Sequence, residues 1–585
     1  MSVSALSWML SSDRVASEPK GKNGVGVKPN SQIDPVFRGF FSSDIRSEAS
    51  EDYRRVLLSY PFRALQDKTQ VFSLDWECCV RTRLTHSYEV SATAQLLFEW
   101  LWCLLYEGRR DGKGAEEPPL FSAPPSDEVY QELRFSLMAA CLLHDAGNPP
   151  FGHFGEFIIS DWFLKAIKES DSPVRNTSGE LLGDLVDTVS GIDYGLDLAN
   201  FEGNAQSLRI ALRASHLFDG HSLNLTATTI SSLVKYPYCC KGRDTGGKKS
   251  KFNIFRSDEM AYRMLLERSG LGSSMIDDGI RHPLSLLLEA ADDISYATSD
   301  LEDAFSRGLF SVTELLVYMC EMLTEEKGKK TEYAAILALL AFVAGSHSDK
   351  EHVTAVFSSL SHKYAQKGID TIKQGIGAEA LCGRTYSAYI DELNEGSLSI
   401  LTSRKRREIQ AQYFSQWIDI VRKWLVHSAA YGIRDVLSKS VASSALSETE
   451  GLFDDERRLI LRAMKMVMEH FVFDSKRNLK TNVAAKTILE SLLNTFVPAV
   501  LRCENGFERR LYSSKDKDAH PSQTDWALID MIPQKYKLDY EKKVKTLENP
   551  SAVRLRYERI MVVTDFICGM SDAYAKNLYK EMQLM

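Results

Sequence analysis

The sequence predicts an all-α protein, and two observations support this class. Apolar residues recur at intervals of three and four residues in most segments, which is the period of an amphipathic helix. Runs in which apolar and polar residues alternate, as they do in half-buried strands, are not convincing anywhere, although a short hairpin is possible in the region Arg502–Ser514. We therefore expect one large helical body, with an additional mostly helical C-terminal half.

The first long helices are predicted on either side of a Gly-, Pro- and charge-rich loop at Gly108–Ser126. The helix Thr82–Tyr106 has apolar residues at helical spacing, and Glu128–His144 follows the loop. Ser160–Asp197 is polar and predicts a longer excursion that contains a short helix.

Helical patterns continue to the end of the chain. Pro283 suits the first position of a helix because its φ is already fixed at a helical value. The remaining predicted helices are Phe201–Leu217, Thr226–Tyr236, Pro283–Phe305, Val312–Glu325, Tyr333–Val343, Thr354–Gln366, Arg404–Val436, Glu456–Val472, Val483–Leu501 and Arg554–Leu584.

Composition describes an ordinary globular protein. The chain has 585 residues, 44% of them hydrophobic, and a net charge of -8, so no global basic character points to nucleic acid. Its ten cysteines form no CxxC pair, which favours reduced thiols and a cytoplasmic protein. No apolar run is expected to span a bilayer, and residues 1–34 are expected to be a flexible tail rather than a signal peptide.

The stretch Leu142–Glu156 combines metal-binding chemistry with a break in the helix. His144 and Asp145 end an apolar run, a Gly-Asn-Pro-Pro turn follows, and His153 and Glu156 come directly after it. Imidazole and carboxylate groups side by side are ligands for a divalent metal. Proline and glycine at the end of a helix would fix the position of these ligands.

Four residues form a candidate ligand set for one metal ion: His86, His144, Asp145 and Asp292. Each lies in an apolar, helix-patterned stretch, where an unpaired charge would be costly. Taken singly, a histidine in a helix is more often a core or capping residue, and an aspartate at a helix end is more often a cap. Two imidazoles and two carboxylates leave coordination positions open on Mn²⁺, Mg²⁺, Fe²⁺ or Co²⁺, which is less typical of structural zinc.

The order H…HD…D resembles that of the HD-domain metal phosphohydrolases. Further segments look like the deoxyguanosine triphosphate triphosphohydrolase branch of that family. They are Lys68-Thr-Gln-Val71, Arg81-Thr-Arg-Leu-Thr-His86, the segment from His144 to Glu156, Phe201-Glu-Gly-Asn-Ala-Gln206, Glu289-Ala-Ala-Asp292-Asp-Ile-Ser-Tyr296 and Asp565–Tyr574. The resemblance runs from about Pro61 to Tyr574, with unmatched insertions, and implies an HD-type catalytic core over residues 35–310. Residues 311–585 would complete the core and the oligomer contacts.

The resemblance implies an activity and partners. Enzymes of this branch hydrolyse dGTP, or other dNTPs, between the 5′-oxygen and the α-phosphorus, and release a deoxynucleoside and tripolyphosphate. They depend on a divalent metal, with Mn²⁺ or Mg²⁺ expected here, and form homo-oligomers that are often hexamers. Some relatives respond to single-stranded DNA, which the basic run Arg404–Arg407 and the loop with Lys248, Lys249 and Lys251 leave possible, although solvated faces are the commoner interpretation.

His153 is the candidate general acid for the leaving 5′-oxygen, or the residue that aligns the attacking water. Glu156, at position i+3 from it, is expected to orient the ring and to keep it protonated. A structural histidine beside a glycine turn is the alternative for His153.

Sugar and phosphate contacts are also implied by the resemblance. Tyr296 is expected against the deoxyribose, and Gln70, Val71 and Asp300 near the sugar, with the 3′-hydroxyl as the partner of Gln70 and Asp300. The phosphate side is assigned to a separate group: Asn204, Lys235 and Tyr236. Arg55, Arg63, Arg81, Arg83 and Arg209 are further cations among which the sequence does not choose, and His216 and His221 are assigned mostly to a turn.

Two other functions remain open on the sequence. An HD-domain 5′-nucleotidase or phosphodiesterase would share the metal set but would not need the Phe-Gly-His-Phe-Gly-Glu segment or Gln70. A non-catalytic nucleotide or single-stranded DNA binding protein would not need the complete set of ligands and His153.

Overall fold

The computed structural model consists of α-helices and two very short hairpins, which confirms the predicted all-α class. The structure describes residues 47–72, 80–107, 109–110, 116–117, 119–121, 124–168, 185–188, 190–212, 223–242, 251–272, 274–310, 314–315, 318, 403–443, 452–453, 455–473, 476–508 and 521–583.

The helices in chain order are α1 (Glu48–Leu57), α2 (Tyr60–Arg63), α3 (Arg83–Trp102), α4 (Asp127–Leu143), α5 (Gly152–Lys168), α6 (Gly195–Ala199), α7 (Gly203–Leu212), α8 (Ala227–Ser232), α9 (Glu259–Ser269), α10 (Ser274–Asp277), α11 (Pro283–Ser306), α12 (Ser403–Ser443), α13 (Asp455–Met468), α14 (Lys476–Leu501), α15 (Gln523–Met531), α16 (Gln534–Thr546), α17 (Ala552–Cys568) and α18 (Asp572–Gln583). A 3₁₀ turn, Ala64–Asp67, follows α2, and π-helical turns follow α3 (Cys103–Glu107) and α13 (Glu469–Phe473). The hairpins are antiparallel: β1 (Arg109–Arg110) pairs with β2 (Glu116–Glu117), and β3 (Val186–Asp187) with β4 (Ile192–Asp193).

Side-chain caps begin α3, which carries His86, and α11, which carries Asp292. The Thr82 hydroxyl accepts a hydrogen bond from the backbone of Thr85, whose side chain accepts one from Thr82, so a capping box begins α3. At the start of α11, the His282 side chain accepts from the backbone of Leu284, and Pro283 occupies the first turn as predicted. These caps fix where α3 and α11 begin.

A first hydrophobic core joins α3, α4 and α11, with α1, α8, α12 and α13 packed around them. Its fully buried members include Leu97, Leu143, Ala291, Ile433 and Met464. A second core joins α5 and α6 to α14, α15, α16, α17 and α18, around Trp162, Phe496, Tyr557 and Ile560. Helices from the C-terminal half therefore take part in both cores, and the turn between α4 and α5 connects one core to the other.

Several predicted helices match closely, and one is wrong. The single helix predicted over Arg554–Leu584 is two, because α17 ends at Cys568 and α18 begins at Asp572. Gly569 lies at this break, where an added Cβ would collide with the hydroxyl of Tyr536. The two hairpins are further differences, since they fall in the expected loop Gly108–Ser126 and in the polar excursion, and α5 begins at Gly152, before the excursion Ser160–Asp197 in which a short helix was expected.

Some predictions lie outside the described residues. They are the tail over residues 1–34, the helices Tyr333–Val343 and Thr354–Gln366, and most of the helix Val312–Glu325. Of the possible hairpin at Arg502–Ser514, residues 502–508 are described and contain no strand.

One described helix, Leu479–Leu501 within α14, is long and apolar enough to cross a membrane, contrary to the expectation that no segment is. Of its most apolar window, 56% is buried inside the protein, and α14 packs against α5, α15, α17 and α18. Its position at the centre of the second core accounts for its apolar composition.

Candidate metal centre and substrate site

The four predicted metal ligands come from three helices that pack on one another. His86 lies in the first turn of α3, His144 caps the end of α4, Asp145 follows it, and Asp292 lies in the middle of α11. Both histidines are buried. The packing of α3, α4 and α11 thus joins residues that are far apart in the sequence.

The distances within this group suit a shared cation. Ligand atoms of His86, His144 and Asp145 all lie within 4.8 Å of one another. Oδ1 of Asp292 lies 3.2 Å from Nε2 of His86 and 3.4 Å from Nε2 of His144. The first three residues therefore form one compact group, and Asp292 adjoins it at both histidines.

The hydrogen bonds of His144 indicate which nitrogen would bind a metal. Its Nδ1 lies 2.7 Å from the carbonyl oxygen of Cys141, so Nδ1–H donates and the lone pair is left on Nε2. That Nε2 is buried and makes no hydrogen bond within the described part of the chain. A buried acceptor without a donor is costly, and a cation would satisfy it, so the residues present fit a divalent metal.

The charges around this volume also favour a cation. Burial opposes ionisation of Asp145, but the Arg83 guanidinium and the imidazoles outweigh it and lower the pKa of this carboxyl below its usual range. The same balance, with Lys235 and His144 as the counter-charges, holds the pKa of Asp292 well below its ordinary value. In turn, the two carboxylates raise the pKa of His144 despite its burial. Such a site stabilises positive charge, which a bound metal would supply in place of protons.

Two neighbours hold the Asp145 carboxylate in place. Nη1 of Arg83 lies 2.6 Å from Oδ2, and Nδ2 of Asn148 lies 2.5 Å from Oδ1. Arg83 is itself buried, so its charge is balanced inside the protein by this contact. Asn148 lies in the Gly-Asn-Pro-Pro turn, and the turn therefore supports the ligand that precedes it.

The turn is packed tightly against α7, and glycine permits the approach. The amide of Gly147 donates to Oγ of Ser207 at 2.9 Å, and the Ser207 hydroxyl donates to the carbonyl of His144 at 2.7 Å. A Cβ at Gly203 would collide with Oδ1 of Asn148 and Oε1 of Glu156. The segment Phe201–Gln206, singled out in the sequence, thus begins a helix that closes on the turn.

His153 and Glu156 form a pair on α5, as their spacing predicts. Nδ1 of His153 lies 3.3 Å from Oε2 of Glu156, and the other oxygen of Glu156 accepts from the amide of Gly203 at 3.1 Å. The Glu156 carboxylate raises the pKa of His153. The His153 side chain is 69% exposed whereas that of Glu156 is buried, so the ring is open to a ligand while its partner is fixed.

Asn253, which nothing in the sequence indicated, connects the residues predicted for the phosphates. Its Oδ1 accepts from the amides of Lys235 (3.1 Å) and Tyr236 (2.8 Å), and its Nδ2 donates to the carbonyl of Asn204 (3.2 Å). The Asn204 side chain donates to Oε1 of Glu202 at 2.9 Å. One buried amide therefore holds all three predicted residues in one place.

Two lysines lie beside this group. Nζ of Lys235 is 2.6 Å from Oδ2 of Asp292, so Lys235 reaches the metal set itself and not only the phosphate side. Lys251 was assigned to a solvated loop, but its Nζ lies 3.6 Å from Oε1 of Glu202, and its charge also acts on Glu156 and Tyr236. Its side chain is 52% exposed, so it remains open to an anion.

The residues predicted for the sugar include buried polar atoms without partners. Oε1 of Gln70 and both carboxylate oxygens of Asp300 are buried and make no hydrogen bond within the described residues. Burial raises the pKa of Asp300 well above its usual value, and also that of Tyr296, which lies one turn earlier on α11. Val71, next to Gln70, packs against the first core.

Four of the five candidate arginines form ion pairs with carboxylates of the protein. Arg81 pairs with Glu89, Glu302 and Asp303, Arg83 with Asp145, Arg209 with Asp565 and Asp258, and Arg55 with Glu51. Arg63 lines a separate cavity of about 550 Å³ to which none of the predicted site residues contributes. His216 and His221 lie outside the described residues.

Proteins of known name resemble this chain over most of its length. It is 28% identical over 548 residues to a protein of Listeria innocua named deoxyguanosinetriphosphate triphosphohydrolase-like protein, covering 92% of this chain and 95% of the relative. It is 25% identical over 552 residues to the deoxyguanosinetriphosphate triphosphohydrolase of Yersinia enterocolitica, covering 91% and 92%.

A third relative matches more strongly over a shorter region. It is a Pseudomonas aeruginosa protein named probable deoxyguanosinetriphosphate triphosphohydrolase, 35% identical over 281 residues, which are 46% of this chain and 50% of the relative. No family model matches the chain.

Proposed function

We propose that the chain belongs to the deoxyguanosinetriphosphate triphosphohydrolase family and that it hydrolyses dGTP, or other dNTPs, to the deoxynucleoside and tripolyphosphate. The observation that carries the proposal is the convergence of His86, His144, Asp145 and Asp292 beside the His153–Glu156 pair. A metal site next to an exposed, carboxylate-paired histidine is suited to hydrolysis of a phosphate ester.

The four ligands would hold a divalent metal, with Mn²⁺ or Mg²⁺ as our first choices. When bound, such an ion supplies positive charge for the α-phosphate oxygens and lowers the pKa of an attacking water. Arg83 and Asn148 keep Asp145 oriented toward the ion, and the Cys141 carbonyl keeps His144 in the tautomer that binds it. These supports reduce the reorganisation that binding requires.

His153 acts as the general acid in this proposal. Its Nδ1 is engaged by Glu156, which leaves Nε2 to donate a proton to the 5′-oxygen as the bond to the α-phosphorus breaks. The alkoxide is a poor leaving group without that proton. The raised pKa of His153 keeps the ring protonated to a higher pH than an isolated histidine, as an acid requires.

The phosphate chain is assigned to Lys235, Tyr236, Asn204 and, as an addition from the structure, Lys251. The first three are held together by Asn253. Lys235 contacts Asp292 at 2.6 Å, so it can pass from that carboxylate to a phosphate oxygen once an ion neutralises Asp292. Two compact ammonium charges suit a polyphosphate, which carries dense negative charge.

The sugar is assigned to Gln70, Val71, Tyr296 and Asp300. The unpartnered Gln70 oxygen would accept from the 3′-hydroxyl, and Asp300, kept protonated by burial, would donate to the sugar. A sugar hydroxyl would thus satisfy buried atoms that otherwise cost free energy. Tyr296 on the same helix would close the space that a 2′-hydroxyl needs, which favours deoxynucleotides.

We extend the proposal to the whole chain. Residues 35–310 supply the HD-type catalytic machinery, and residues 311–585 complete it, in keeping with the shared second core of α5 and the C-terminal helices. A homo-oligomer, with a hexamer as the first expectation, is part of the same proposal and is tested by light scattering of the purified protein.

The experiment that tests the function is a product assay. The purified protein is incubated with Mn²⁺ or Mg²⁺ and each of the four dNTPs, and products are separated by anion-exchange chromatography. Deoxynucleoside and tripolyphosphate in equal amounts, fastest from dGTP, support the proposal. Release of single phosphate or pyrophosphate would overturn it, as would turnover of deoxynucleoside monophosphates, and of no dNTP, in a parallel incubation, and the Asp292→Ala variant controls for contaminating phosphatases.

A further inference from the structure

Phe151, the residue before α5, has an unusual backbone conformation. Its φ is 64°, in the left-handed region that a bulky side chain rarely adopts, and its side chain is buried in the second core. The helix that carries His153 and Glu156 begins at the next residue. The direction of this helix relative to the metal turn therefore depends on a conformation that the surroundings must hold in place.

The carboxylate of Asp572, in the C-terminal half of the chain, stabilises this conformation of Phe151. The amide of Phe151 donates to Oδ1 of Asp572 at 2.9 Å, and Asp572 is buried. The two residues are 421 positions apart, and Asp572 is the first residue of α18. A hydrogen bond to a buried carboxylate is strong enough to favour one backbone geometry over its competitors.

The other oxygen of the Asp572 carboxylate contacts the segment that precedes Gln70, which is assigned to the sugar. The hydroxyl of Thr69 donates to Oδ2 of Asp572 at 2.5 Å, and Thr69 directly precedes Gln70. Thr69 also forms an antiparallel bridge to Thr82, the cap of the helix that carries His86. Asp572 is thus placed between the start of α5 and the segment assigned to the sugar.

Lys68 makes a parallel connection between the same three segments. Its buried Nζ donates to the carbonyl of Asn148 at 2.7 Å and to that of Cys568 at 2.5 Å. The residues from Cys568 to Asp572 therefore contact the segment before Gln70 at two points, through Lys68 and Thr69, and the turn between α4 and α5 directly at Phe151, while Lys68 joins the same turn at Asn148. Neither contact involves a predicted metal ligand or a substrate-binding side chain.

We propose that Asp572 is a positioning residue, which sets the His153–Glu156 helix and the Gln70 segment relative to each other by accepting one hydrogen bond from each. This inference rests on the proposed hydrolase function. Because Asp572 acts through Phe151 and Thr69, its loss misplaces the acid and the sugar contact together, while the metal ligands stay in place. A displacement of about 1 Å in such groups lowers turnover by roughly 10- to 100-fold.

The test compares three variants of the full chain, each with its melting temperature measured. Asp572→Ala removes both contacts, and we expect kcat per folded molecule to fall about 10- to 100-fold while metal content is unchanged. Asp572→Asn keeps an oxygen for the Phe151 amide and gains a donor for the Thr69 oxygen, so it should restore most of the turnover. Ser571→Ala removes the cap that accepts from the Tyr574 amide at 3.1 Å and so weakens the same helix without touching either segment.

Amide hydrogen exchange measured on the same proteins gives a readout that does not need turnover. In Asp572→Ala, exchange should rise in peptides covering both 67–72 and 148–156, whereas Ser571→Ala should affect only the start of α18. Equal kcat per folded molecule in Asp572→Ala and Ser571→Ala, or a rise confined to residues 572–583, overturns the positioning role.

Two further outcomes keep this inference separate from the function. If the wild-type protein hydrolyses no dNTP, the proposed function fails and the exchange comparison alone decides the role of Asp572. If Asp572→Ala does not fold, Thr69→Val replaces it: a raised KM and faster exchange at 67–72 support the role, and wild-type values of both contradict it.

Discussion

Oδ1 of Asp292 lies 3.2 Å from Nε2 of His86, although the two residues are 206 positions apart in the chain. Removing this carboxylate takes one ligand from the group and leaves Lys235 without its partner. We expect Asp292→Ala to lose metal affinity by at least about 100-fold, because even residues behind the ligands contribute 10- to 100-fold, and to lose dNTP turnover with it. Metal content by mass spectrometry and binding by calorimetry measure the change.

The neighbouring residue gives a matched control for that variant. Asp293 pairs with Lys465 at 2.7 Å on a half-exposed surface of α11. Asp293→Ala should keep both metal and activity, and equal metal loss in the two variants would show that the effect is not specific to the proposed ligand.

His153→Ala should separate metal binding from turnover. The His153 ring is not one of the four proposed metal ligands and its side chain is 69% exposed, so metal content and melting temperature should stay at wild-type values. Loss of a general acid should lower kcat by roughly 10²- to 10⁴-fold. Phe157→Ala, an exposed position on the same helix, is the control, and a fully active His153→Ala protein would exclude the acid role.

Glu156→Gln should change the pH dependence of kcat/KM in a defined direction. Glu156 raises the pKa of His153, so the protonated acid persists to higher pH and activity is lost only as pH rises through that raised pKa. The neutral amide removes this effect, and the basic limb of the profile should therefore move to lower pH. An unmoved basic limb would mean that another group, and not His153, titrates there.

Lys251→Ala tests the cation that the structure adds to the phosphate side. Its Nζ lies near Glu202 and is partly open to solvent, so we expect KM for dNTPs to rise up to about 5-fold with little change in kcat, since an exposed ionic contact contributes up to about 1 kcal/mol. Lys241→Ala is the control, because that lysine lies over the ring of Tyr238 instead. Identical KM values in the two variants would show that Lys251 does not bind the phosphates.

Asp197 should make the stability of the fold depend on pH. Burial raises its pKa to about 7, against hydrogen bonds from the Arg256 amide and the Tyr557 hydroxyl. A folded-state pKa above the unfolded value gives stability that is fully present below pH ~4 and is lost as pH rises through about 7. We expect this residue to cost up to about 4 kcal/mol of unfolding free energy across that range, since each pKa unit corresponds to about 1.4 kcal/mol. Asp197→Asn should flatten the dependence in urea titrations at several pH values, and an unchanged slope would contradict the assignment.

The helices that carry the metal ligands were predictable because their signals are local. Thr82 and Pro283 mark the starts of α3 and α11, and apolar residues at helical spacing follow both. The break at Gly569 was missed although a glycine followed by Ser571, which caps α18, is a local signal that one helix ends and another begins; only the space that the Tyr536 hydroxyl needs there is not a local property. The role of Asn253 was equally invisible, since its partners lie in two other segments.

The sequence by itself determined the helical class and the pairing of His153 with Glu156, because each depends on spacing within a single segment, and it indicated the candidate ligands through their residue types and the resemblance to the HD-domain family. Only the tertiary structure decided which polar groups pair. Lys235 forms an ion pair with Asp292 and Arg83 forms one with Asp145, while Asp572 accepts hydrogen bonds from Phe151 and Thr69. Such contacts join residues hundreds of positions apart, and their geometry follows from how the helices pack rather than from any local pattern.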